Sequence, residues 1–111
     1  MTAYGFGYLW NVRMGPEIVE YLERIDASLA PFGGRFIAHG GRISVLEGDL
    51  PAGDAIIIEF PDFSSAQDWY RSDAYAAIKA LRSSNSHGHI LLVDGVPPDH
   101  KATDVLASEQ P

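Results

Sequence analysis

A chain of 111 residues, 46% of them apolar, holds one domain with one core and lies in the size range where a second subunit adds stability. Its 8 basic against 15 acidic residues leave a net charge of -7, which disfavours nucleic acid and anionic membrane as partners, and the lack of cysteine excludes disulfides, thiolate nucleophiles and thiolate metal sites together. The opening MTAYGFGYLW has no basic region and no long apolar run, so neither a signal peptide nor a spanning helix is expected and the default location is cytoplasmic.

Residues 4–12 predict a strand. Tyr4, Phe6, Tyr8, Trp10 and Val12 alternate with Gly5, Gly7, Leu9 and Asn11, giving one aromatic face and one nearly bare face over which a helix or ligand can approach the backbone. Gly5 and Gly7 lie inside this strand and lack the third glycine and the following helix of a dinucleotide fingerprint. Pro16 opens a helix, with Glu17 and Glu20 at its positive end. Ile18, Leu22, Ile25, Leu29 and Phe32 form its single apolar stripe, and Pro31 with Gly33 and Gly34 stops it.

Residues 35–39 and 42–47 read as one strand interrupted by Gly40 and Gly41, as a bulge or a tight turn. Residues 49–54 form a loop, and the run AIIIEF at 55–60 predicts a central strand covered on both faces. Ser64 and Gln67 stand at capping-box spacing, so a second helix starts there and carries Ala66, Trp69 and Tyr70 inward. Ser72 offers a second cap, where the helix breaks before resuming through Tyr75, Ile78 and Leu81. After a polar loop at 83–86, residues 90–93 give the last strand. A domain at 1–95 is then followed by a proline-rich tail at 96–111, expected to be extended or mobile and placed to cover a partner subunit.

The order strand, helix, strand, strand, helix, strand predicts an α+β fold. Its usual solution is the ferredoxin-like βαββαβ sandwich, a four-stranded antiparallel-type sheet with both helices on one face. The other sheet face is too apolar to stand in water, so two subunits are expected to pack sheet to sheet as a homodimer.

GGRF at 33–36, GGRISVLEGD at 40–49, EFP at 59–61 and WYRSDAY at 69–75 together resemble the bacterial domain-of-unknown-function family 1330. The resemblance covers roughly residues 8–95. It implies a dimeric α+β barrel, related in fold to cofactor-free monooxygenases of aromatic polyketides, to muconolactone isomerase and to some haem enzymes. The tail after Gly95 is longer and the first strand richer in aromatics than the family pattern.

Among candidate residues Glu59 comes first, as a carboxylate interrupting the central strand on the face of Ala55 and Ile57, where it must be hydrogen-bonded or have a raised pKa. The predicted topology gathers Trp10, Asn11, Glu59, Arg35 and His89 at one end of the sheet, a set able to move a proton and hold an oxyanion. The structural alternative is that Glu59 simply pairs with Arg35. His39, before the glycine break, is a candidate general base or a partly buried histidine satisfied by a carbonyl. Trp69, Tyr70 and Tyr75 suit the core, with Tyr70 the better placed to orient a carbonyl or phenol. His87 and His89 have metal-compatible spacing without an evident third ligand, so no metal site is expected.

Two functions compete. The first is a cofactor-free enzyme acting on a small apolar or aromatic metabolite by proton abstraction, isomerisation or reaction of the carbanion with oxygen. Glu59 would then be the acid or base, with His39 or Tyr70 assisting, and a cavity must exist. The second is a non-catalytic ligand-binding or structural homodimer. Haem or metal binding is a third, supported only by the histidines.

Overall fold

The computed structural model describes residues 1–107. Alternation in the first segment gives strand β1, Ala3–Trp10. Helix α1, Pro16–Leu29, has proline in its first turn and buries Ile18, Tyr21, Ile25, Ser28 and Leu29. A 3-10 turn at Ala30–Phe32 ends at Gly33 in the left-handed conformation. Strand β2 is Arg35–His39 and strand β3 is Gly53–Phe60. Helices α2, Phe63–Arg71, and α3, Asp73–Ser83, follow without a loop between them. Strand β4, His87–Asp94, completes the sheet, and a short helix α4, Asp104–Ala107, lies in the tail.

The sheet order is β2-β3-β1-β4 and every neighbouring pair is antiparallel, the ferredoxin-like arrangement expected. Tyr21, Ile25 and Leu29 from α1, Ala66 and Trp69 from α2, and Tyr75 and Ile78 from α3 pack with Ile58 and Phe60 of β3. One sheet face therefore carries the core. Because residues paired across strands share a face, this face holds Gly5 and Gly7 beside Ile58 and Ile56 on one side and Leu92 and Ile90 on the other. The opposite face presents Tyr4, Phe6 and Tyr8 beside Glu59, Ile57 and Ala55 and beside Val93, Leu91 and His89.

The break between α2 and α3 stands where Ser72 was expected to cap, and its hydroxyl accepts from the Tyr75 amide at 3.2 Å. The cap of α2 is Asp62, not Ser64: its carboxylate accepts from the Ser65 amide at 2.7 Å, and this bond holds its pKa below the ordinary carboxylate value. Asp62 takes the place because it stands two residues after the end of β3, and its charged acceptor meets the positive helix end.

Residues 42–47 are not a strand. The reason is pairing: β2 reaches Ile56 of β3 at His39, Gly40 turns away with φ 72, and the following segment pairs with no strand of the sheet. The irregularity in β2 falls at Ile37, between Phe36 and Ala38, not at Gly40 and Gly41. The last strand starts earlier than expected, and the tail, expected to be extended, contains α4; its residues 108–111 lie outside the described chain.

Candidate functional site

A cavity of about 240 Å³ lies between the core face of the sheet and the helices. Its sheet wall includes Gly5 and Gly7 of β1, Ile56 and Ile58 of β3, and Ile90 and Leu92 of β4, while Ile18, Tyr21, Ile25, Trp69, Tyr75 and Arg82 come from the helices. The exposed lining residues Met14, Leu22, His39, Gly40, Asp54 and Ile90 mark its mouth, and the buried aromatic residues mark its inner end. A Cβ on Gly5 would have its nearest neighbours at 3.5 Å, and one on Gly7 would come within 3.1 Å of Ile90 Cδ1. The bare strand face read from the sequence thus becomes one wall of the cavity, where larger residues would take up its space.

The inner wall is polar at one place. The Tyr21 and Tyr75 hydroxyls are hydrogen-bonded at 2.8 Å, and Arg82 Nη2 donates to the Tyr75 hydroxyl at 3.5 Å. Tyr75 is 1% exposed and Arg82 8%. Arg82 Nε has no hydrogen-bond partner among the described residues. Burial pushes the Tyr21 phenol up, well above its ordinary value, and the Tyr75 oxygen beside it adds to the shift. For Arg82 burial acts downward, but the oxygens of Tyr75 and Tyr21 outweigh it and the net shift is upward, so the guanidinium stays charged. The Trp69 indole donates to Ser28 Oγ at 3.0 Å, and its ring lies 4.3 Å from that of Tyr75, which fixes the aromatic wall.

The Tyr21 shift has a measurable consequence. Below the ordinary phenol pKa of 10.0 both folded and unfolded chains hold the proton and the contribution to stability is complete. Above it the unfolded chain releases the proton and the folded chain keeps it, so stability falls by about 1.4 kcal/mol per pH unit from this one group. Denaturant titrations from about pH 9 to about pH 11 are expected to show that slope in the wild type and its loss in Tyr21→Phe.

His39 reaches the cavity through the irregularity in β2. Arg35 pairs with Glu59 on the open face, and regular alternation would put His39 on that face too; the extra residue at Ile37 instead pairs His39 with Ile56, whose side chain is on the core face. There the imidazole stacks on Phe36 at 4.4 Å with 11° between the planes. It is an exposed group at the mouth, not a partly buried one.

The remaining expected site residues do not gather. β1 and β3 are antiparallel, so the end of β3 meets the beginning of β1, with Glu59 opposite Tyr4, while Trp10 pairs with Gly53 and His87 at the other end. Glu59 and Arg35 form a 2.8 Å ion pair on the open face, with side chains 29% and 68% exposed respectively, outside the cavity lining. Trp10 and His89 lie together on the open face with ring centroids 5.4 Å apart. Asn11 follows β1 with φ 51 and lines a separate polar depression with Arg13, Ser84 and His87. Of the aromatic residues on α2, Trp69 lines the cavity and Tyr70 does not; Lys79 Nζ sits 5.1 Å from the Tyr70 ring. No cluster of three or more metal-ligating side chains occurs among the described residues, and none of their helices is long and apolar enough to cross a membrane.

The residue that sequence reading missed is Arg82. Its signal was present: Tyr75, Ile78 and Arg82 follow at steps of three and four on one helix face, and a basic residue on a buried stripe needs a partner.

The family model described as "Domain of unknown function (DUF1330)" matches residues 2–96. Two crystal structures of the RPA0582 protein, described as a protein of unknown function from Rhodopseudomonas palustris, superpose with TM-scores of 0.68 and 0.65 at 13% and 14% identity. They cover 89% and 87% of this chain and 84% of theirs. SnoaB, a cofactor-independent oxygenase from Streptomyces nogalater, superposes with a TM-score of 0.53 at 14% identity, over 90% of this chain and 96% of its own. At such identities the likeness is one of fold. No curated protein matches the chain.

Proposed function

The chain belongs to the DUF1330 family, and from that premise we propose that it binds a small, largely apolar or aromatic carbonyl metabolite in the cavity between sheet and helices and transfers a proton on it without a bound cofactor. The observation that carries this reading is the Tyr21, Tyr75 and Arg82 cluster at the inner wall of an otherwise apolar cavity whose mouth holds His39. His39 takes a proton from a carbon conjugated with the carbonyl and lying toward the mouth, the electron pair moves through the conjugated system onto the carbonyl oxygen, and that oxygen accepts hydrogen bonds from Tyr75 and Arg82 at the inner wall as its charge grows. Return of the proton to a second carbon isomerises the substrate; dioxygen as co-substrate instead captures the carbanion. The cofactor-independent chemistry named for the Streptomyces nogalater protein supports this reading on a shared fold.

Glu59, salt-bridged to Arg35 on the open face, has in this reading a structural role, and Tyr70 serves packing. The open face itself supports a homodimer. Phe6 lies between Ile57 and Leu91 across the central strands, and Ile37, Leu91 and Val93 are each close to half exposed. Packing two such faces together buries them.

The test is hydrogen exchange in deuterated water, followed by proton NMR on cyclic aryl ketones and unsaturated lactones. The wild type is expected to speed exchange at a carbon conjugated with the carbonyl of one of these, and His39→Gln to lower the rate roughly 100-fold or more while the fold is kept. Acceleration that is unchanged in His39→Gln would remove His39 from the reaction, and no acceleration by the wild type on any of these compounds would leave a binding site only.

A further inference from the structure

We infer that the ligand of this cavity is an organic anion, bound with its charged planar oxygen group against Arg82. This rests on the cavity being the functional site, and it specifies what the site takes.

Three observations lead to it. Arg82 is 8% exposed, and none of the ion pairs among the described residues involves it; those ion pairs are Arg24 with Glu20, Arg35 with Glu59 and His100 with Asp104. A guanidinium carries five N–H donors, yet the Arg82 side chain makes a single bond of 3.5 Å to a protein oxygen and its Nε makes none. Among the described residues the only carboxylate in the cavity lining is Asp54, an exposed residue at the mouth. A buried cation left without a carboxylate is costly, and in a chain of net charge -7 carboxylates were abundant as partners. Arg82 is in the cavity lining with donors to spare, and a guanidinium is the group from which a carboxylate, phenolate or enolate accepts charge-assisted hydrogen bonds.

The surroundings select against inorganic anions. Tyr21, Trp69 and Tyr75 supply aromatic wall, and Ile18, Ile25, Ile56, Ile58 and Leu92 supply aliphatic wall, so most of a bound molecule must be apolar. The class is therefore a hydrophobic monoanion with its charge delocalised over a planar group.

The experiment uses 4-nitrophenol and its neutral methyl ether, 4-nitroanisole, by equilibrium dialysis and absorbance. In the wild type the phenolate is expected to bind at least about 10-fold more tightly than the ether, the preference a single charge-assisted hydrogen bond gives. The phenolate absorbance should also appear at lower pH on binding. Arg82→Gln is expected to abolish both the preference and the absorbance shift, and Arg82→Lys to retain part of each. If the wild type binds both compounds equally and the phenol stays protonated, the anion inference is overturned while the cavity reading stands. If the preference persists in a folded Arg82→Gln, it is likewise overturned. If neither compound binds, the cavity reading falls with it. Should Arg82→Gln not fold, the comparison of the two compounds in the wild type decides alone.

Discussion

Leu91→Asp is expected to turn a dimer into a monomer. In sedimentation velocity at micromolar concentration the wild type should run as two chains and the variant as one, with the dissociation constant raised about 100-fold or more. Leu91 is 46% exposed on edge strand β4 and pairs with Phe6, which in turn pairs with Ile57, so it sits in the apolar row at the middle of the open face. In a two-fold symmetric interface one substitution places two carboxylates in the contact, and each must be dehydrated without a partner. In the isolated chain the same position faces water, so the variant monomer should still fold, its melting temperature lowered only by what the second subunit contributed. Val19→Asp, at an equally exposed residue on α1, serves as control and should leave the dimer intact. A wild-type monomer, or a Leu91→Asp dimer, would rule out sheet-to-sheet packing.

Trp69→Ala carries the largest expected loss of stability, about 3–5 kcal/mol, out of a total of about 5–15 kcal/mol for a domain of this kind. Trp69 is 3% exposed. Its ring packs on Phe60 and Tyr75, and its indole N–H is the donor to Ser28 Oγ. Truncation removes the aromatic wall and opens a void beside the cavity already present. Trp69→Phe separates the two contributions: most of the packing stays and the hydrogen bond goes, at a cost of about 1 kcal/mol. Ser28 still donates to the Ile25 carbonyl at 2.7 Å, so no donor there is left unsatisfied. Urea denaturation of both variants measures this. Equal losses in the two would show that the hydrogen bond, not the packing, anchors the wall.

How far the sequence carries depends on which interaction decides each element. The alternation in β1, the proline at the start of α1 and the Ser72 cap are local, and each was legible. Asp62 and Ser64 are both good caps, and only the point where β3 ends selects between them. Residues 42–47 have a strand-like composition, but a strand needs an edge to pair with, and that is settled by residues distant in sequence. The same holds for His39. Nothing in RFIAH announces the extra residue at Ile37, yet that irregularity decides which face the imidazole takes.

Glu59 shows a different kind of failure. Its face, shared with Ala55 and Ile57, was read correctly. The choice of which face the helices cover was also available, because the bare glycine face of β1 has to lie under them. Antiparallel pairing then places Glu59 with Tyr4, among the aromatic residues of the open side. The expected site went wrong by setting the end of β3 beside the end of β1, which only a parallel pair would do.

A two-dimensional 15N–1H NMR titration with 4-nitrophenolate locates the ligand on one side of the sheet or the other. Binding in the cavity predicts shifts in the Gly5 and Gly7 amides, the Trp69 indole N–H and the Arg82 Nε–H, residues that line it from both sheet and helix sides. Shifts confined to Trp10, His87 and His89, which lie together at one end of the open face, would place the ligand on the other side of the sheet and overturn the cavity as the binding site.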